Sequence, residues 1–381
     1  MIPYGRQSIN QDDIDAVVAT MHSIWLTQGP AVPAFETDVA SRCRARFAVA
    51  TSNATAALHI ACLALGVGVG DHVWTSPNTF IASANCALYC GATVDFVDID
   101  PQTLNMSVSA LAEKLAHARA THCLPKVIIP VHFAGQPCDM EGISQLARQY
   151  GCRVIEDAAH AIGATYKGAP VGNCAHSDIT VFSFHPVKII TTGEGGMALT
   201  NDEFLARRLA RLRSHGIARD SSEMQKESEG PWYYQQIELG FNYRITDLQA
   251  ALGSSQLKRL DLFLSKRRAL AARYDSILPS LGVTIPYRSP DRVSAWHLYP
   301  IQVEADRRRH IFETMRAEGF VVQVHYIPVH LHPFYHNRGF KLGDFPNAEA
   351  YYQRAFSMPL YPDLTEDQQD TAITALIKAL A

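Results

Sequence analysis

Between residues 47 and 200, short runs rich in β-branched residues alternate with stretches that have the apolar spacing of helices. Strands separated by helices of this length favour an α/β fold with a mostly parallel sheet that is covered on both faces. In such a sheet, ligands bind outside the carboxyl ends of the strands. We expect strands at 47–51, 73–75, 93–99, 126–131, 153–156, 179–184 and 197–200, and helices at 54–65, 79–89, 108–118 and 139–150.

The pattern changes near Gly253. Beyond it, the sequence predicts a long charged helix at 254–274, strands at 283–286 and 296–303, and a closing helix at 365–381. We therefore predict a large domain over residues 1–253 and a smaller α+β domain over residues 254–381. Residues 220–231 are rich in Ser, Glu and Gly, and we expect them to form the most mobile loop.

The composition excludes several classes of partner. The 381 residues are 47% hydrophobic, which is enough for a substantial core, and the net charge of -3 leaves no footprint for nucleic acid or an anionic membrane. The most apolar stretch, 80–97, is interrupted by Asn85, Gly91 and Asp95 and is too short to span a bilayer. The first six residues lack the features of a secretory signal, so we expect a cytoplasmic enzyme.

Two groups of residues raise the alternative of a metal site. Cys86 and Cys90 lie one helical turn apart, but the eight cysteines form no Cys-x-x-Cys pair, and we interpret most of them as small buried hydrophobes. The segment 324–332 is rich in histidine, yet Pro328 and Pro333 break regular structure and no carboxylate accompanies the imidazoles. We expect no metal, and we expect this segment to bind a polar substrate.

Lys188 closes the run Ser-Phe-His-Pro-Val-Lys that begins at Ser183, and the predicted strand at 153–156 leads directly into Asp157. An amine, a neighbouring hydroxyl and a carboxylate at the end of a buried strand are the groups that pyridoxal phosphate chemistry requires. Lys188 could hold the aldehyde as a Schiff base, and Asp157 could keep the pyridine nitrogen protonated. A single lysine is most often a solvated surface residue, so the prediction depends on the combination.

The start of the helix at 54–65 is a candidate phosphate site. Free N–H groups at a helix start, together with the Thr55 hydroxyl, suit a phosphate, although Asn53 or Thr55 could instead serve only as a helix cap. No nucleotide-binding loop competes with this interpretation. The chain has no G-x-x-x-x-G-K-[ST] motif, and the glycines at 193–196 lack the spacing of a dinucleotide fingerprint and suggest a tight turn.

In the order and spacing of its motifs, the chain resembles the sugar aminotransferases of the DegT, DnrJ, EryC and StrS family. The resemblance implies the aspartate aminotransferase-like fold, fold type I, and the cofactor pyridoxal 5'-phosphate. The motifs are Leu-Thr-Gln-Gly-Pro at 26–30, Pro-Asn-Thr-Phe at 77–80, Glu-Asp-Ala-Ala-His at 156–160, the run at 183–188, Gly-Phe-Asn-Tyr-Arg at 240–244 and His-Tyr-Ile-Pro at 325–328.

The resemblance assigns roles around the cofactor ring. It implies that Lys188 forms the Schiff base and carries protons, that Asp157 contacts the pyridine nitrogen, and that His160 contacts the ring hydroxyl where many relatives have Gln. Phe80 would cover the ring face, with an ordinary core aromatic as the alternative. The catalytic residues implied are therefore Lys188 and Asp157.

The resemblance also implies a phosphate site that two subunits share. Ala54, Thr55 and Ser183 would hold the phosphate, and Asn242 would reach in from the neighbouring subunit of a homodimer. Ala54 stands where many relatives have Gly, a departure that leaves donation by its backbone intact. Residues implied around the nucleotide sugar are Tyr4, Leu26, Thr27, Gln28, Gly29, His185, Arg244, His325 and Tyr326, although any of them could instead be structural. Arg244 could pair with a diphosphate or with the donor carboxylate.

Within the family, the branch of the pseudaminic acid pathway is similar at 74–80, 84–92, 183–196 and 326–333. It implies transfer of an amino group from glutamate to a UDP-linked 4-keto-6-deoxy-N-acetylhexosamine, with two half-reactions and ping-pong kinetics. Three alternatives remain. A sister aminotransferase could act on another keto sugar; a related sugar dehydratase would carry His in place of Lys188; and a non-catalytic regulatory member would lack half-transamination.

Overall fold

The computed structural model describes residues 1–381 and contains sixteen strands and thirteen α-helices. The strands are β1 (Ile2–Pro3), β2 (Phe47–Thr51), β3 (His72–Thr75), β4 (Thr93–Phe96), β5 (Val127–Ile129), β6 (Arg153–Asp157), β7 (Thr165–Tyr166), β8 (Ala169–Pro170), β9 (Ile179–Ser183), β10 (Gly196–Thr200), β11 (Ile217–Ala218), β12 (Gln235–Gln236), β13 (Arg292–Val293), β14 (Tyr299–Gln302), β15 (Phe320–Val321) and β16 (Ala355–Met358). The helices are α1 (Gln11–Met21), α2 (Ala31–Cys43), α3 (Ala54–Ala64), α4 (Ala82–Tyr89), α5 (Val108–Ala120), α6 (Met140–Tyr150), α7 (Glu203–Arg213), α8 (Asp247–Lys258), α9 (Leu260–Ile277), α10 (Arg308–Ala317), α11 (Pro333–His336), α12 (Pro346–Arg354) and α13 (Glu366–Leu380).

The centre of the molecule is a seven-stranded sheet in the order β2-β10-β9-β6-β5-β3-β4. All its neighbouring strands run parallel except at β10, which is antiparallel to both β2 and β9. The prediction of an α/β fold with a mostly parallel sheet is therefore confirmed. Because β5, β6 and β9 run in the same direction, their carboxyl ends lie along one edge of the sheet.

Helices cover both faces of this sheet, as the alternation of side chains along β10 shows. Met197 and Leu199 pack in one core cluster with Phe35 of α2, whereas Ala198 packs in another with Ala57 and other residues of α3. Successive residues of a strand point to opposite faces, so a strand that is apolar on both sides must be buried between two layers. The structure therefore has three layers, with the sheet in the middle.

A further core lies in the C-terminal part of the chain, where α9, α10 and α13 pack around the pair β14 and β16. The N-terminal strand β1 joins this part, because it pairs with β15. The predicted boundary after Gly253 falls within α8. The division into two domains stays a prediction. No helix combines the length and the apolarity that a membrane span requires.

Two predictions about the C-terminal part were wrong. The single helix predicted at 254–274 is two helices, because α8 begins at Asp247 after the capping residue Thr246 and the helix is interrupted at Arg259, after which α9 begins. The predicted strand at 283–286 is absent as a strand, and only Thr284 forms an isolated bridge, with Gln302. Pro286 has no N–H to donate to a ladder, which disfavours a longer strand at this place.

Candidate active site

A cavity of about 900 Å³ lies at the carboxyl ends of β6 and β9, beside the start of α3. Residues 323–326 of the C-terminal part close its other side. Residues from both parts of the chain therefore line one site. The predicted residues that line it are Tyr4, Ala54, Thr55, Phe80, Asp157, His160, Ser183, His185, Lys188, His325 and Tyr326.

Asp157 is the last residue of β6, and its carboxylate is buried at the floor of the cavity. Its Oδ2 accepts a hydrogen bond of 2.6 Å from the Ser83 hydroxyl, and its Oδ1 accepts one of 3.1 Å from the Ala159 N–H. A buried charge is stable only when it is paired or hydrogen-bonded. These two bonds therefore hold the carboxylate in one orientation.

The Lys188 amine faces the same cavity and forms no hydrogen bond or ion pair with any protein group. Burial lowers the pKa of Lys188 to about 8, and the negative charge of Asp157 opposes part of that shift. An amine with this pKa is partly uncharged at neutral pH, when it can act as a nucleophile or a base. The Lys188 amine is therefore free of protein partners and suited to nucleophilic or base chemistry.

The start of α3 and the end of β9 meet at one end of the cavity. Asn53 caps the helix by accepting a 2.8 Å hydrogen bond from the Ala56 N–H, which leaves the N–H groups of Ala54 and Thr55 without an acceptor in the protein. Gly196, the register partner of Ser183, lies so close that a Cβ there would be 2.6 Å from the Ala54 nitrogen. The free N–H groups of Ala54 and Thr55 therefore line the same cavity as the hydroxyl groups of Thr55 and Ser183.

His160 lies beyond Asp157 and contacts residues of the C-terminal part. Its Nε2 is 3.2 Å from the Tyr326 hydroxyl, and its ring centroid is 4.3 Å from that of His297. Burial holds the pKa of both histidines well below its usual range, with the charge of Lys188 acting in the same direction, so both rings are neutral. The Nδ1 atoms of both rings are buried without a partner.

His297 was not predicted, and a buried arginine positions it. Arg267 of α9 donates hydrogen bonds from Nη1 to the carbonyl oxygens of Trp296, His297 and Leu360, at 3.1, 3.3 and 2.9 Å. Burial lowers the pKa of Arg267 to about 9. Arg267 thus links α9 both to Trp296 and His297, which precede β14, and to Leu360, which follows β16, and it holds His297 beside the cavity.

Two of the three histidines of the segment 324–332, His325 and His330, have separate protein partners. His325 Nδ1 lies 2.9 Å from the Ser357 hydroxyl, while His330 Nε2 lies 2.8 Å from Glu349 Oε1. Burial and the charge of Lys188 lower the pKa of His325 to about 3, so its ring is neutral. No group of three or more potential metal ligands is found in the structure.

The rings of Tyr4 and His325 pack edge-on against each other with a centroid distance of 4.8 Å.

Six predicted residues do not line the cavity of their own chain: Leu26, Thr27, Gln28, Gly29, Asn242 and Arg244. The first four lie along the start of α8, where the Gly29 N–H donates to Asp247 Oδ1 at 2.9 Å and the Asp247 N–H donates to the Leu26 carbonyl at 3.0 Å. Asn242 is exposed and forms an isolated bridge with Ser214. Their roles stay predictions.

Several other residues line the cavity without having been predicted. Thr79 and Ser83 lie one helical turn apart beside Asp157, in a segment whose motif drew attention only to Phe80. Spacing of four residues could have indicated that the two hydroxyls meet, but nothing in the sequence pairs them with Asp157. The remaining unpredicted polar and aromatic residues of the lining are Asn53, His59, Tyr89, Glu194, Tyr243, His297 and Gln323.

The residues present fit pyridoxal phosphate. The buried carboxylate of Asp157 suits a protonated ring nitrogen, the unpaired amine of Lys188 suits the aldehyde, and the free N–H groups at the start of α3 suit a phosphate. His160 Nδ1, which is buried without a partner, provides a polar atom for the ring hydroxyl. The ring nitrogen, aldehyde, phosphate and ring hydroxyl of the cofactor would thus each have a protein partner of matching chemistry in one cavity.

Comparison with known proteins agrees with this chemistry. The model of the DegT/DnrJ/EryC1/StrS aminotransferase family matches residues 7–377. The spore coat polysaccharide biosynthesis protein SpsC of Bacillus subtilis is 41% identical over 98% of this chain and 96% of its own.

Solved structures are similar along the full chain. PseC of Helicobacter pylori, an aminotransferase involved in the biosynthesis of pseudoaminic acid, superposes with a TM-score of 0.90 and 29% identity over 100% of this chain and 99% of its own. Spr1654 of Streptococcus pneumoniae in its PMP form superposes with a TM-score of 0.91 and 30% identity over 100% of this chain and 99% of its own. A PLP form of Spr1654 is also similar, with a TM-score of 0.89. The chain therefore belongs to the DegT/DnrJ/EryC1/StrS aminotransferase family and is a pyridoxal phosphate-dependent sugar aminotransferase of fold type I.

Proposed function

We propose that this enzyme transfers an amino group from glutamate to C4 of a UDP-linked 4-keto-6-deoxy-N-acetylhexosamine, in pseudaminic acid biosynthesis. The observation that carries the proposal is the cavity that joins Lys188, Asp157 and the start of α3 in a fold that matches PseC over its whole length. The identity to PseC is 29%, so the proposal for the sugar depends on the motifs as well as on the fold.

A second candidate function is supported by the relation to SpsC. That protein acts in the biosynthesis of a spore coat polysaccharide and is 41% identical to this chain. A sister aminotransferase acting on another nucleotide-linked keto sugar would use the same cofactor site. The difference would then lie in the residues that contact the sugar and the nucleotide.

Lys188 is the proposed catalytic base. When bound, pyridoxal phosphate supplies an electron sink and carries the amino group from the donor to the acceptor. The Lys188 amine would move a proton from the α-carbon of glutamate to the cofactor, and in the second half-reaction it would move a proton from the cofactor to C4 of the sugar. Its lowered pKa, about 8, keeps part of the amine uncharged near neutral pH, as a base requires.

The remaining proposed cofactor contacts surround Lys188. Asp157 pairs with the protonated ring nitrogen, and His160 contacts the ring hydroxyl. Phe80 covers one face of the ring. Its side chain lies on the cavity wall and is 57% exposed, so it is available for such a contact. The Ala54 and Thr55 N–H groups, with the Thr55 and Ser183 hydroxyls, hold the phosphate.

The proposed substrate contacts fall into two groups. Tyr4, His185, His325 and Tyr326 line the cavity and would contact the sugar. The strip of Leu26, Thr27, Gln28 and Gly29, together with Arg244, lies outside it, at or near the start of α8. We propose that the strip and Arg244 contact the nucleotide or the donor carboxylate, for which a guanidinium is suited.

The homodimer is also a proposal, and two features of the surface support it. Asn242 is exposed on its own chain, where it is free to reach a neighbouring subunit. The N-terminal region exposes large apolar side chains that a partner could cover: Ile14, Val18, Met21, Trp25 and Leu26. Asn242 would then contact the phosphate held mainly by the other chain.

Product analysis tests the assignment of the sugar. The purified holoenzyme is incubated with glutamate and a panel of UDP- and dTDP-linked keto sugars, and the products are identified by mass spectrometry, with Lys188→Ala as the inactive control. We expect amination of the UDP-linked 4-keto-6-deoxy-N-acetylhexosamine. Faster amination of another sugar would favour the second candidate function, and no amination of any sugar by a protein that converts glutamate to 2-oxoglutarate would contradict both.

A further inference from the structure

We propose that the hydroxyl groups of Thr79 and Ser83 hold the Asp157 carboxylate in the orientation in which it would meet the ring nitrogen of the cofactor. The inference rests on the proposed role of Asp157. Thr79 Oγ1 lies 2.7 Å from Ser83 Oγ, which lies 2.6 Å from Asp157 Oδ2. The three side chains thus form a continuous chain of hydrogen bonds.

The direction of these hydrogen bonds follows from the number of protons. A charged carboxylate only accepts, so Ser83 must donate to Asp157. Ser83 has a single hydroxyl proton, so Thr79 must be the donor in the bond between the two hydroxyls. The competing acceptor for Ser83, the Phe80 carbonyl, is farther away, at 3.4 Å.

Burial strengthens the hydrogen bonds among Thr79, Ser83 and Asp157. The exposed fractions of Thr79, Ser83 and Asp157 are 2%, 1% and 5%, so water does not compete with them. The Ala159 N–H occupies Asp157 Oδ1, and Ser83 is therefore the side-chain donor that holds Oδ2. In a site of low dielectric constant, hydrogen bonds to a charged acceptor are stronger than in water, and the loss of one is costly.

The consequence concerns how Asp157 would meet the ring nitrogen of the cofactor. A hydrogen bond to each carboxylate oxygen fixes the orientation of the carboxylate. A fixed carboxylate would stabilise the positive ring nitrogen on which the electron sink depends. Without the Ser83 hydroxyl, Oδ2 would lose its hydrogen bond, and the carboxylate would be free to rotate.

The test compares variants that remove or keep a hydroxyl. Ser83→Ala and Thr79→Val remove one, while Thr79→Ser keeps it, and Ser144→Ala is a matched control because Ser144 is equally buried but bonds to the Glu141 carbonyl away from the cavity. We measure the Kd for pyridoxal phosphate by titrating the cofactor-free protein, the pH midpoint of the bound cofactor's absorption band, and the single-turnover rate with glutamate.

Ser83→Ala should weaken cofactor binding and slow the glutamate half-reaction by about tenfold each, which is the loss expected for one buried hydrogen bond to a charged group. It should also move the pH midpoint of the absorption band. Thr79→Val should show smaller changes in the same direction, whereas Thr79→Ser should stay within about twofold of the wild type on the same scale. Ser144→Ala should leave all three quantities unchanged.

Unchanged Kd and pH midpoint in folded Ser83→Ala and Thr79→Val would overturn the inference. Should Ser83→Ala fail to fold, the comparison of Thr79→Val with Thr79→Ser alone decides whether the inference stands.

Asp157→Asn is measured in the same series. If it alters the absorption band while the hydroxyl variants do not, Asp157 keeps its proposed role and only the positioning by the hydroxyls is rejected. None of these measurements uses a sugar, so an error in the assigned acceptor cannot affect them.

Discussion

Tyr326 Oη lies 3.2 Å from His160 Nε2, so a side chain of the C-terminal part holds a side chain that follows the central strand β6. Burial raises the pKa of the Tyr326 phenol, which therefore keeps its proton and can donate it to the neutral imidazole. If Nε2 accepts, the single ring proton of His160 must be on Nδ1. His160 would then present a donor, from an atom that has no protein partner, to the cofactor.

We therefore expect Tyr326→Phe to slow the glutamate half-reaction by about five- to tenfold, because His160 loses the bond that sets its tautomer. The ring is kept, so the fold should be unaffected. Tyr274→Phe is the matched control, since its hydroxyl donates to the Pro359 carbonyl at 3.0 Å in the C-terminal core and Tyr274 does not line the cavity. A normal half-reaction in Tyr326→Phe, measured by stopped-flow absorbance, would contradict the role of the bond.

The residues that could be predicted from the sequence are those with a distinctive local context. Lys188 closes the run that begins at Ser183, and Asp157 directly follows a predicted apolar strand. Residue type and local context together indicated these two residues, and both line the cavity. Ser83 lacked any such signal, because its contact with Asp157 joins residues 74 positions apart. His297 was missed for the same reason, since its place depends on Arg267 and on packing against His160.

The errors in the predicted secondary structure also have physical causes. The start of α8 had a local signal in the capping box of Thr246 and Gln249, which the prediction overlooked in favour of the charged stretch that follows. The break between α8 and α9 had no such local signal in the sequence. Arg259, at the break, forms an ion pair with Asp13 and donates to the Ser8 carbonyl at 3.2 Å, and such tertiary contacts cannot be inferred from helical periodicity.

Lys188 should be the lysine that binds the cofactor covalently. Borohydride reduction of the holoenzyme followed by peptide mapping should place the pyridoxyl label on Lys188, and a label on another lysine would refute the assignment. Lys188→Ala should lose turnover entirely while its melting temperature stays close to that of the wild type, because the amine forms no hydrogen bond or ion pair in the structure.

The pH dependence of Lys188 can be measured directly in the cofactor-free protein. Burial lowers the pKa of this amine to about 8, so the uncharged fraction should rise about tenfold per pH unit below pH 8 and level off above pH 9. The rate of acetylation by acetic anhydride at Lys188, followed by mass spectrometry between pH 6 and 10, should therefore bend near pH 8. A rate that still rises about tenfold between pH 9 and pH 10, as for an ordinary lysine, would show that burial does not lower the pKa.

Asp157→Asn should slow the glutamate half-reaction by at least about a hundredfold, because a neutral amide cannot stabilise the positive ring nitrogen. Glu156→Gln is the matched control in the same strand. Successive side chains point to opposite faces, and Glu156 contacts His132 Nε2 at 2.8 Å instead of the cavity. We expect this control to lower stability without a comparable loss of rate. Near-normal half-transamination by Asp157→Asn would exclude its carboxylate as the partner of the ring.

The shared active site can be tested by mixing inactive Lys188→Ala with Asn242→Ala, which we expect to be strongly impaired. If Asn242 reaches the phosphate held mainly by the other chain, a mixed dimer of Lys188→Ala and Asn242→Ala contains one intact site, in which the Asn242→Ala chain supplies Lys188 and its partner supplies Asn242. Random exchange of equal amounts makes about half of the dimers mixed, so we expect about a quarter of wild-type activity per site. Two distinguishable affinity tags show whether the subunits have exchanged. With exchange demonstrated, a mixture no more active than the separate variants would place Asn242 in the same site as its own Lys188, and each chain would then build its active site alone.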